Sequence, residues 1–68
     1  MLKENNRVVV INANSEITCS EIFSDANSAY KFYIESIELI KKNVQKGEKW
    51  TVVRFRWNSI MAMETVEG

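Results

Sequence analysis

The period of hydrophobic and polar positions passes from two to 3.6 and back to two along the chain, and turn clusters divide the two strand regions into elements. Residues 7–12, Arg-Val-Val-Val-Ile-Asn, are a β-branched run closed by Asn12-Ala13-Asn14-Ser15, a cluster with turn chemistry at almost every position. The pattern predicts a strand and a turn. In residues 16–22, Ile17, Cys19 and Glu21 alternate with Thr18, Ser20 and Ile22, and Phe23 continues the first series, as in a short returning strand. These two strands form an antiparallel hairpin.

Ala26, Ala29, Tyr30, Tyr33, Ile37, Ile40 and Val44 then recur at three- and four-residue intervals, which places them on one face of a helix over about 25–46. Ser24 or Asp25 caps its start, Lys41, Lys42 and Lys46 suit the negative end of its dipole, and Gly47 supplies the left-handed stop. Lys31, Glu35 and Lys42 lie on the opposite, solvated side, and Glu38 precedes Lys42 in the orientation favourable to an ion pair.

Residues 49–57 alternate cleanly, with Thr51, Val53, Phe55 and Trp57 on one face and Trp50, Val52, Arg54 and Arg56 on the other. The first set is expected to face the core, with Trp57 as a large core side chain. A turn at Asn58-Ser59 leads into a last strand over 60–66. The reading is a single small α+β domain over 1–68, ββαββ: a four-stranded antiparallel sheet with one long helix packed on one face.

Length sharpens this picture. Sixty-eight residues hold one core, and 46% apolar with 26% charged residues is a globular composition. Nine basic residues balance nine acidic ones, so the broad attraction that draws proteins to nucleic acid or anionic membrane is missing. Met1 to Asn6 is polar, and the longest apolar run, Val8 to Ile11, is four residues against the ~20 of a membrane span. A cytoplasmic location is expected, and the lone Cys19 suits a reducing compartment. Seven isoleucines, seven asparagines, six lysines and no proline suggest a low-GC source, such as a low-GC bacterium or its phage.

Candidate chemistry is sparse. There is no histidine, Cys19 stands alone, and the glutamates follow no metal-loop spacing, so no catalytic residues, metal or cofactor are expected. With Gly47 and Gly68 the only glycines, a phosphate-cradling glycine-rich loop cannot form. Cys19 reads as a small buried apolar residue and the glutamates as a solvated surface.

One helix covers one face of a sheet, so the face assigned to Trp50, Val52, Arg54 and Arg56 would stay open. A turn at Asn58-Ser59 pairs Arg56 with Met61 and Arg54 with Met63 there. These six residues form the candidate partner-binding face, because Trp, Met and Arg are enriched in protein interfaces. The alternative is ordinary exposed apolar surface covered by arginine stems. Phe32 and Leu39 form a separate helical ridge that either wraps the sheet edge or makes a homodimer interface, an arrangement favoured by so short a chain.

Two functions are compatible with these residues. The first is a non-enzymatic protein-interaction module, homodimeric and of phage or mobile-element type, that inhibits or modulates a host protein by docking a sheet face or strand edge. The second is a single-stranded nucleic-acid binder in which Trp50 stacks on a base while Lys49, Arg54 and Arg56 meet phosphates.

Overall fold

The five elements occur in the expected order: β1 (Asn6–Ile11), β2 (Ile17–Phe23), α1 (Ala26–Asn43), β3 (Lys49–Arg56) and β4 (Ser59–Glu67), in a computed structural model that describes residues 4–68. Met1–Lys3, the start of the polar N-terminal stretch, lie outside the described residues. The strands pair antiparallel in the order β2-β1-β3-β4, and α1 contacts all four. This is the α+β arrangement that the periodicity predicts.

Local chemistry sets the element ends. At the β1–β2 turn, Asn12 Oδ1 accepts from the backbone N–H groups of Asn14 and Glu16, both at 2.9 Å, while Ser15 takes a left-handed φ of 63°. Asp25 caps α1: one carboxylate oxygen accepts from Ser28 N at 2.7 Å and the other from Ser28 Oγ at 2.9 Å. The helix ends three residues short of residue 46, because Val44 turns extended (φ −64°, ψ 135°) while its N–H still reaches Ile40 O at 2.7 Å. Gly47 does adopt a positive φ, 88°, but in the following turn rather than as the helix stop. Glu38 and Lys42 form no ion pair; Lys41 instead reaches across to Glu64 on β4 at 3.7 Å.

The core lies between α1 and the sheet. Val8, Val10, Val52 and Val66 meet Ala29, Tyr33, Ile37 and Ile40, and Val8, Ala29 and Val52 are fully buried. Ala29 sets the one small helical side chain among these against the valines of the sheet. Tyr30, expected in the buried stripe, is 55% exposed at its flank. Phe32 wraps the sheet edge, its ring centroid 5.3 Å from that of Phe23 at the end of β2.

The two faces of β3 are the reverse of those expected. Directly paired residues share a face, and the register places Val52 beside Val10, Arg54 beside Val8 and Trp50 beside Val66. Trp50, Val52, Arg54 and Arg56 therefore face the helix side, and Thr51, Val53 and Phe55 face away. Both faces of this strand carry apolar residues, so alternation alone permits either choice. Packing selects the one that brings the valines of β1, β3 and β4 under the helix.

Turn geometry corrects the last hairpin as well. Arg56 pairs with Ser59, so the two-residue turn is Trp57-Asn58 rather than Asn58-Ser59. Trp57 adopts φ 55° there and is 48% exposed, outside the core. A bulge opposite Arg54/Phe55 leaves Met61 as the extra residue, so Arg54 pairs with Ala62 rather than Met63, and Val53 pairs with Met63.

Candidate functional site

Among the described residues nothing covers the sheet face opposite α1, and the registers define it row by row. Across one end run Ile22, Arg7, Phe55 and Ile60; across the middle, Ser20, Val9, Val53 and Met63; across the far end, Ile17, Ile11, Thr51 and Thr65. The central valines need no second layer to be buried: Val9 is 7% and Val53 5% exposed, shielded by larger neighbours on the same face. The outer columns are open. Ile17, Ile22, Ile60 and Met63 are 66%, 64%, 60% and 62% exposed.

Charge is nearly absent from this face. Lys49 and Glu67 pair with each other at 3.6 Å beyond the far row. Among the described residues, Arg7 is the one charge inside it. The guanidinium carbon of Arg7 lies 4.9 Å from the Phe55 ring centroid, its Nε is buried without a hydrogen-bond partner, and Arg7 takes part in no ion pair among the described residues.

The six residues expected to form the partner face are divided by the fold. Val52 is fully buried under α1, Trp50 is partly buried against the core, and Arg54 leans toward Tyr30, its guanidinium carbon 5.8 Å from the ring centroid. Arg56 is exposed on the helix side and pairs with Glu4. Met61 is 48% exposed at the bulge, and only Met63 stands on the open face. Residues the sequence reading passed over, Arg7, Ile17, Ile22, Phe55 and Ile60, supply the rest. Their signal was present: the outward set Thr51, Val53 and Phe55 is as apolar as its counterpart, and Ile22 breaks the polar alternation of β2.

Phe32 and Leu39 also separate. Phe32 packs within the chain, whereas Leu39 is 63% exposed beside an apolar groove of about 360 Å³ on the β2 flank of the helix, lined by Phe32, Ile40, Trp50, Val10 and Cys19. Cys19 is a free thiol on the inner face of β2. Among the described residues no group of three or more Cys, Asp or Glu could hold a metal ion, and no helix is long and apolar enough to cross a membrane.

Compared with protein-family models, curated proteins and solved structures, the chain matches none.

Proposed function

We propose that this chain is a non-enzymatic protein-interaction module that docks through the sheet face opposite its helix. The observation that carries the reading is the exposure of Ile17, Ile22, Ile60 and Met63, all above half, around a floor of buried valines. Along the two outer columns these four side chains together present on the order of 500 Å² of mostly apolar surface, a total comparable with the largest patch on an ordinary monomer. Covering it is worth roughly 12 kcal/mol at ~25 cal/mol per Å² before the cost of association, which is itself about 4–15 kcal/mol. Apolar area alone therefore gives a weak complex, and polar complementarity decides the affinity.

Single-stranded nucleic-acid binding gains no support from this geometry. Trp50, the intended stacking platform, lies on the helix side, and the open face carries one aromatic ring, Phe55, already beneath Arg7. A strand-tracking surface needs several free cations with its rings.

Site-specific photocrosslinking in the source cells tests the docking reading. A photoreactive residue at Ile22 or Met63 should give an adduct with another protein, and one at Lys31, on the solvated side of the helix, should not. Adducts from Lys31 alone, or from no position, would overturn the proposal.

A further inference from the structure

We infer that the partner covering this face presents a carboxylate to Arg7, so that the protein recognises an apolar segment carrying an aspartate or glutamate. This rests on the docking reading above and adds the chemistry of the partner.

Arg7 sits between Ile22 and Phe55 in one row of the open face, with Val9 the next outward residue on its own strand. Three of these four positions are apolar, so an occupant that covers them also strips water from the guanidinium. Desolvating a cation without a counter-charge is costly, whereas a carboxylate there gains short, charge-assisted and often bidentate hydrogen bonds. The protein does not supply that carboxylate itself. Glu4 is held by Arg56, Glu64 by Lys41 and Glu67 by Lys49, and Glu21, the pairing neighbour of Val8, belongs to the inner face. The Phe55 ring holds the cation on the face, but it offers no acceptor for the unpartnered Nε–H.

The same charge pattern argues against a second copy as the occupant. The sole carboxylate that the outward face of a second copy could offer Arg7 is Glu67, already paired with Lys49 beyond the far row. An arginine stacked on an aromatic ring and bordered by large apolar side chains matches the residue types that dominate interface energetics.

A random twelve-residue peptide library panned on the immobilised chain provides the probe. Enriched peptides should carry one Asp or Glu flanked by apolar residues. Replacing that acid with its amide should weaken binding to the wild type by about tenfold or more, as expected for loss of a charge-assisted contact. The replacement should matter less than about twofold on Arg7→Met, the loss of coupling that a double-mutant cycle reads. The peptide-side change needs no protein variant, so the test stands even if Arg7→Met folds poorly. Binding that is lost in Met63→Glu but indifferent to the peptide acid overturns this inference and leaves the docking face intact. Binding indifferent to both, or no enriched peptide, overturns both. A solution mass near twice 7.9 kDa that returns to monomer in Met63→Glu assigns the face to a second copy and overturns the inference. Tight, salt-sensitive competition by a single-stranded oligonucleotide overturns it too.

Discussion

The guanidinium carbon of Arg54 lies 5.8 Å from the ring centroid of Tyr30, so the exposed flank of the helix is tied to the inner face of β3 by a cation over an aromatic ring. Such contacts are worth about 0.5–1 kcal/mol at partly exposed sites. A double-mutant cycle of Arg54→Met and Tyr30→Ala, read by urea unfolding, should give a coupling energy of that size. A coupling of zero would remove the contact from the list of forces that hold the helix in place.

Ile37 and Leu39 are close in sequence and opposite in environment, 5% and 63% exposed. Ile37→Ala should cost about 2–5 kcal/mol, a large share of the stability of so small a domain. Leu39→Ala should stay within about 0.5 kcal/mol of the wild type, as exposed substitutions away from packed features do. Equal costs in chemical denaturation would contradict the helix orientation.

Trp57 occupies the first position of a two-residue turn with φ 55°, a conformation that strains any residue with a Cβ. Trp57→Gly should therefore raise stability, by about 0.5–1 kcal/mol once the greater freedom of glycine in the unfolded chain is counted. Emission should follow the same geometry. A chain in which Trp50 is the sole indole should emit at shorter wavelength and resist acrylamide quenching better than one retaining only Trp57.

Two groups set the expected pH limits. The Ser28 backbone N–H, then its hydroxyl, holds the Asp25 carboxyl below its ordinary value. Its contribution is present above the unfolded value of about 3.9 and is lost as pH falls through the lower folded value. Burial, reinforced by the charge of Glu64, pushes the Tyr33 phenol up. That contribution is complete below the unfolded value of about 10 and is lost as pH rises through the folded one. Thermal melts should show a flatter acid limb in Asp25→Asn, which still caps without titrating, and a flatter alkaline limb in Tyr33→Phe. Limbs unchanged from wild type would assign the sensitivity to other groups.

Element order, the Asp25 cap, the Asn12 turn and the stripe Ala29, Tyr33, Ile37 and Ile40 were legible because each is a local property: a period, a side chain that reaches its own backbone, or a spacing on one helix. The candidate site was legible only in kind. An open, apolar sheet face follows from one helix over four strands, but its membership moved from Trp50, Val52, Arg54 and Arg56 to Arg7, Ile17, Ile22, Phe55 and Ile60, with Met63 common to both.

The sequence by itself determined that this chain makes two hairpin-like strand pairs joined by an amphipathic helix, since periods of 2 and 3.6 and their breaks are written in the order of residues. Tertiary structure decided the strand order β2-β1-β3-β4 and which face of β3 turns inward. The reason is that β3 is apolar on both sides: its alternation fixes which residues travel together, while the choice between them depends on Val8, Val10 and Val66 meeting Val52 beneath the helix. The inward turn of Val52 put Ile60, paired with Phe55, on the outer face, and one bulge at Met61 carried Met63 there as well, where the proposed partner would meet Arg7.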